Sequence, residues 1–489
     1  MAQQLFFSRD TKVYIKFGTK VWDLPVLDGF SFSQATNSSE ITLAEMEGSG
    51  GSSRRGRKQF NDSLAPAEWS FATYVRPFKA VAGAGAGTAD ALALTHAVEE
   101  VLWGMFLGGK TYADDHQLFQ DSPPVEVAAA AAVAGTSYVI TDLTGTTQAQ
   151  FNTLAGTSGE TYVVGDAIIA AGAGAGSGKL EQVVNVPTTL SSKFNADLSN
   201  SATLGTADIF FVLGDTNRKV YKLKDCVVNE ASLDFDIDGI ATINWSGMSS
   251  EIIDMTSKTH TGATNPPAYD AVSGAAGAIV ADDVMLDSAA GHRLSVVIDP
   301  TSSGTATMTG AVYEGTTSTT NFIRNRLTQL TVVPTTQNPT GDGSNELESS
   351  YAITLTGGNI TMTNNVTFIT PEEIGLVNTP IGHVTGTRSI SGSMNCYLSK
   401  DTTATNNSAD LWEDLKSISS VVTNSFALDF KIGGTTAGIP RLEVSMPTCH
   451  LEIPTHSIED VISVETAFNA LPSTIDGTNE ATITYFSKQ

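Results

Sequence analysis

Residues 233–238 alternate strictly between apolar and acidic side chains. Leu233, Phe235 and Ile237 fall on one side of an extended chain, and Asp234, Asp236 and Asp238 on the other, because side chains in a strand repeat every two residues. The stretch must therefore be a strand with one buried and one wet face. Three carboxylates along one face repel each other unless water and salt screen them. The acidic face is thus open to solvent, or serves as a negative surface. Gly239 interrupts the pattern and Ile240 to Trp245 resume it, which predicts a bulge or tight bend at the glycine rather than a hairpin end.

The rest of the chain is rich enough in apolar residues to bury cores around such a strand. Of 489 residues 41% are hydrophobic, and the net charge is −25, so this is no disordered acidic tail. That charge argues against ordinary nucleic-acid binding, which needs cations to displace counterions from phosphates. It is compatible with a surface that nucleic acid slides past. The length implies several domains. Three cysteines without metal or disulfide spacing indicate folding in a reducing compartment. The first ten residues lack a charged segment followed by an apolar one, so no signal peptide is expected. No apolar run approaches the length of a membrane span, so no membrane association is expected.

In chain order, residues 5–17 and 21–27 read as strands, followed by a further pair within 30–43. Residues 45–66 form a long polar Gly/Ser-rich loop carrying Arg54, Arg55, Arg57 and Lys58. A loop of that length is functional or disordered. In 68–78, Trp69, Phe71 and Thr73 share a strand face. Val98, Val101, Leu102, Met105 and Phe106 are spaced for a helix over 95–109. Residues 125–190 shift to an Ala/Gly-rich composition and read as a small inserted β module. Residues 256–320 read as a linker or a second small insertion.

Several motifs suggest chemistry and fail on context. Gly104 to Thr111 matches a phosphate-binding loop, but a helix precedes it where a strand should be, and no helix follows. Asp234 to Gly239 matches the first half of a calcium loop, yet Trp245 stands where the bidentate Glu belongs and the flanks are strands. His450 and His456 lack a third ligand. With no nucleophile elbow and no catalytic constellation, the chain reads as a non-enzyme without a cofactor.

The order of elements repeats. Residues 6–15 resemble 322–332, 69–74 resemble 389–397, and 210–213 resemble 426–430. The helix around Trp103 has a shorter partner at 408–418 around Trp412. Cys226 and Cys449 hold similar places, each between two strand-like runs. The Trp103-to-Cys226 interval exceeds the Trp412-to-Cys449 interval, and 125–190 accounts for most of the difference. The expected fold is mainly β, with two tandem β-sandwich or barrel-like domains, each with one flanking helix, plus small inserted β modules. Domain one would be 1–124 with 191–255, interrupted by 125–190, and domain two 321–489.

With the repeat and the acidic strand in hand, the chain resembles bacteriophage tail tube (major tail) proteins. The resemblance is carried by VWDLPVLDGFSFSQ at 21–34, SRRGRKQFNDSLAPAEWSFATYVRPF at 53–78, HAVEEVLWGM at 96–105, VVNEASLDFDIDGIATINWSG at 227–247, FIRNRLTQL at 322–330, YAITLTGGNITMTNNV at 351–366 and HSIEDVISVETAFNALPSTIDG at 456–477. It implies a virion protein of the tail, assembled in the host cytoplasm, whose sheets join edge to edge into rings stacked as a hollow tube. Two tube domains in one chain imply trimeric, pseudo-six-fold rings with a closed β-barrel as inner wall. Implied partners are other copies of the chain and tail proteins such as the tape measure and the terminator. Double-stranded DNA passes through the tube during ejection without specific binding. Asp234, Asp236 and Asp238 are then expected to face the lumen. The loop bearing Arg54, Arg55, Arg57 and Lys58 is expected to reach a neighbouring subunit or ring, both termini to pack on neighbours, and 125–190 to face outward. A virion adhesin or carbohydrate-binding β protein is the competing class. It predicts clustered exposed aromatics in the inserts, where 125–190 has only Tyr138, Phe151 and Tyr162.

Overall fold

The computed structural model describes residues 5–18, 20–42, 57–79, 95–107, 126–135, 137–164, 166–182, 188–189, 204–214, 218–256, 259–262, 284–287, 294–299, 304–308, 322–335, 350–371, 378–400, 407–417, 425–435, 439–458, 461–472 and 480–486. The first strands are β1 (Thr11–Phe17), β2 (Lys20–Leu24), β3 (Ser31–Ser33), β4 (Thr36–Thr42), β5 (Arg57–Leu64), β6 (Ala67–Tyr74), β7 (Pro77–Lys79) and β8 (Thr95–Ala97), followed by helix α1 (Glu100–Leu107). The insert holds β9 (Glu126–Ala128), β10 (Ser137–Asp142), α2 (Gln148–Ala155), β11 (Ala167–Ile169) and β12 (Lys179–Gln182). Then come β13 (Thr188–Thr189), β14 (Ala207–Leu213), β15 (Lys219–Asp236), β16 (Thr242–Ser249) and β17 (Glu251–Asp254), with β18 (Thr259–Gly262), β19 (Val284–Asp287), β20 (Leu294–Asp299) and β21 (Gly304–Met308). The C-terminal part has β22 (Gln329–Pro334), β23 (Tyr351–Ile353), β24 (Leu355–Thr363), β25 (Val366–Ile369), β26 (Gly382–Thr385), β27 (Ser389–Tyr397), α3 (Ser408–Ser417), β28 (Phe426–Ile432), β29 (Arg441–Leu451), β30 (Thr455–Ile458), β31 (Ile462–Ala470) and β32 (Thr482–Phe486).

The chain is mainly β, and β15 is its spine. Its first half pairs with β14 and β17, and its second half with β16 and β24. Two ladders have the same design. Strands β2-β1-β14-β15-β17 run in order on one side, and β23-β22-β28-β29-β32 on the other. Each contains a register shift, between Ala207 and Ile209 in one and between Phe426 and Leu428 in the other. Cys226 sits at the first shift and Cys449 at the second. Both thiols are buried and both point at the carbonyl three residues back, Leu223 and Met446. A short 3₁₀ turn precedes β1 (Ser8–Asp10) and β22 (Asn325–Leu327) alike.

Below these ladders lies one sheet in the order β3-β6-β16-β15-β24-β27-β31-β30. Its apolar face carries Trp69, Phe71, Trp245, Leu233, Phe235, Ile360, Met394 and Phe468 into one continuous core. Trp103 of α1 meets Trp245 edge to face at 4.9 Å, and Phe430 bridges Phe235 and Phe468 at 5.6 Å each. Three glycines make room for aromatic rings directly across the ladder: Gly247 under Trp69, Gly358 under Phe235, and Gly392 under Phe468. A methyl group on any of them would collide with both the ring and a neighbouring carbonyl. The described strands do not close into a barrel within one chain.

Two local readings differ from the sequence pattern. The helix starts five residues late because Thr95–Ala97 leaves it to pair with Pro77–Lys79. Val98, Val101, Leu102, Met105 and Phe106 are nonetheless all buried. Over the described residues the partner helix α3 spans ten residues and α1 eight. The insert is not all β. Its sheet, ordered β11-β10-β12-β9, packs against α2, which Thr147 and Gln150 start with a reciprocal capping box and Gly156 ends at φ 67°. Strands β18–β21 join the first ladder through β2, and Val284, Leu294 and Val296 cover its outer face at Tyr14, Phe210 and Val220.

Gly247→Ala should destabilise the chain by roughly 1–3 kcal/mol, the usual cost of overpacking a filled core. Urea unfolding would measure it, and an unchanged midpoint would refute the role given to this glycine.

Candidate functional site: an acidic sheet face between two open edges

The eight-stranded sheet leaves its second face uncovered. Cross-strand pairs put Ser70 beside Ser246, Asn244 beside Ser232, Thr242 beside Asp234, Asp234 beside Asn359, and Asn359 beside Ser393 on that face. Over the paired segments its charged residues are Glu68, Glu230, Asp234, Asp236 and Glu465, and these segments contain neither lysine nor arginine. Hydroxyls and amides make up most of the remainder and brace it. Asn244 donates to Asp234 at 3.0 Å, and Ser393 N–H donates to Asn359 at 2.8 Å.

Asp234 and Asp236 are exposed on this face. Asp236 also accepts the Gly239 N–H at 2.8 Å within the turn that joins β15 to its antiparallel neighbour β16, so Gly239 lies at a hairpin end and not, as the pattern suggested, at a bulge or bend inside one strand. Asp238 lies beyond the strand and does not continue the row. It sits in that turn, 3.9 Å from Arg326, with both side chains in water. Glu465 joins the row from the second half of the chain, and so do Glu68 and Glu230, which the sequence reading did not group with it. Period two was enough to place Glu68, since Trp69 and Phe71 fix the opposite face of β6.

Among the described residues, β3 and β30 each have one strand partner, so both outer edges of the sheet are unpaired. A long hairpin stands off each half: β4–β5 between β3 and β6, and β25–β26 between β24 and β27. Arg54 and Arg55 lie outside the described residues. Arg57 and Lys58 are exposed on β5, Arg57 near Glu40 at 3.6 Å and Lys58 over the Phe60 ring. This part of the expected loop is a strand. Polar side chains lie on both of its faces, so no alternation betrays it, and pairing with β4, with one further bridge from Ser63 to Asn378, makes it extended. The base of this hairpin is tied to the second one, where Leu64 N–H donates to Asn378 C=O at 2.8 Å.

Buried polar groups tie the two halves together. Tyr485 of β32 donates to Glu99 at 2.8 Å and accepts from the Trp103 indole at 2.6 Å. Glu99 is fully buried, and burial pushes its carboxyl up to about 7, with the Tyr485 hydrogen bond opposing the shift only in part. Arg76 stacks on Phe322 at 4.5 Å, its guanidinium lowered by burial and partly sustained by Glu99. Asn364 and Arg388 converge on the Phe106 carbonyl at the end of α1, at 2.9 and 3.5 Å.

No family model matches the chain. Over 98% of its length it is 23% identical to the tail tube protein pb6 of Escherichia phage T5, of which it covers 75%. The similarity supports a phage tail tube protein.

The Glu99 carboxyl gives a pH signature. In the unfolded chain it ionises above about 4.5; folded, it keeps its proton to about 7. Its contribution to stability is therefore full below pH 4.5, falls through the interval to 7, and is flat above. A shift of this size corresponds to about 3 kcal/mol. Glu99→Gln should remove that slope from stability-versus-pH curves and stabilise the protein at pH 8. A variant with the wild-type slope would contradict this.

Proposed function

We propose that this chain is the subunit of a phage tail tube. Three copies, each contributing two tandem tube domains, close a pseudo-six-fold ring, and rings stack into a channel for DNA. The observation that carries the reading is the eight-stranded sheet. It consists of two like units, β3-β6-β16-β15 and β24-β27-β31-β30, joined by the β15–β24 ladder and, among the described residues, unpaired at both ends. A free edge is a template for another strand, and a head-to-tail contact that closes makes a ring. Edge β30 of one copy meets β3 of the next, and the acidic faces of three sheets line the channel. DNA phosphates are repelled from such a wall, so the duplex passes without binding. The β4–β5 and β25–β26 hairpins then reach neighbouring subunits or rings, and the insert faces outward.

The joint inside the chain supplies the register between chains. Trp69 opposite Gly247 corresponds to Gly392 opposite Phe468. Ser31 then corresponds to Asn359, and Ser457 to Asp234, which face each other across the internal joint. Ser31→Cys with Ser457→Cys should oxidise to covalent closed trimers, while either single variant gives none; assembled tubes without cross-links would refute the ring.

Replacing Asp234 and Asp236 by lysine should leave tubes intact and slow DNA ejection from virions carrying them. An ejection rate equal to wild type would remove the lumen assignment.

A further inference from the structure

The same correspondence reaches the segment ahead of β1. Aligned by their strand registers, the two 3₁₀ turns match without a gap, so Leu5 corresponds to Phe322, Phe6 to Ile323 and Phe7 to Arg324. In the second unit this segment is docked. Phe322 packs edge-on to Tyr74 at 5.1 Å and under Arg76, Ile323 is 1% exposed, and the Ala241 N–H donates to its carbonyl at 2.9 Å. Arg324 bridges Ile240 in antiparallel fashion.

In the first unit the segment has no such seat among the described residues. Leu5 is 71% exposed and Phe6 41%, a costly display of apolar surface. The seat's counterpart lies bare elsewhere on the chain. Val75 N–H donates to Ala241 C=O as Leu398 N–H donates to Ile462 C=O, so Tyr74 corresponds to Tyr397 and Ala241 to Ile462. Ala241 is 1% exposed under its strap, whereas Ile462 is 38% and Tyr397 50% exposed.

We propose that residues 5–7 of one copy form a strap that docks on Tyr397, Val461 and Ile462 of the neighbouring copy, as 322–324 docks within the chain. This rests on the ring reading above and adds a second contact to it. Phe6 takes the buried Ile323 position against Ile462, Leu5 lies on Tyr397, and Phe7 stands opposite Val461. Strap and seat belong to opposite halves of the chain, so each copy gives one and receives one, and the contact closes with the ring.

The Arg324–Ile240 bridge is flanked by two hydrogen bonds, Ala241 N–H to Ile323 and Asn325 N–H to Gly239. Such a pair has the closest Cα spacing of an antiparallel ladder and lies within disulfide reach. Phe7→Cys with Val461→Cys in the full chain should therefore cross-link between copies under mild oxidation, in the same preparations where Ser31→Cys with Ser457→Cys does. Phe6→Asp should leave the single chain's unfolding midpoint unchanged and abolish ring formation. If the Ser31/Ser457 pair cross-links and the Phe7/Val461 pair does not, the strap is refuted and the ring stands. If neither cross-links in assembled protein, both fall. Normal assembly of the Phe6→Asp protein also refutes the strap.

Discussion

The antiparallel ladder between β15 and β24, from Glu230 opposite Thr363 to Asp236 opposite Gly357, carries the rest of the architecture. It welds two four-stranded units into one sheet and, among the described residues, leaves that sheet with one unpaired edge at each end. Backbone N–H and C=O groups are obligatory hydrogen-bonding partners. A protein that leaves such edges open must blunt them or use them. Neither β3 nor β30 carries the lysines, prolines or bulges that commonly blunt an edge, which agrees with an edge meant to be paired.

The two faces of that sheet divide the work. The apolar face takes the large aromatic rings, and Gly247, Gly358 and Gly392 let those rings lie flat against the opposing strand. The wet face holds carboxylates, hydroxyls and amides with no cation over its paired segments. Close carboxylates destabilise one another. Asn244 beside Asp234 and the Gly239 amide beside Asp236 offset part of that cost. In a channel the remaining repulsion acts on passing phosphates as well.

Much of this was legible in the sequence, and the reason is period two. Alternation placed Leu233 and Phe235 inward and Asp234 and Asp236 outward, and it placed Trp69, Phe71 and Thr73 together; Thr73 indeed accepts the Trp245 indole hydrogen bond. The echo of Cys226 and Cys449 located matching register shifts. What alternation could not reveal was any element whose sides face alike. β5 is polar on both sides, and Asp238 continues the pattern past the point where the backbone bends. The α2 helix was missed although Thr147 and Gln150 spell a capping box, because its surroundings read as a composition shift. Edges carry no composition of their own; they appear only once every pairing is known.

The central claim is that open edges of one chain close on other copies into a ring. Electron-microscopic averages of the assembled protein viewed down its axis test this most directly. The account predicts hollow rings with six lobes related by three-fold symmetry, three chains to a ring. Discrete single-chain particles at high concentration, or rings containing six whole chains, would contradict it.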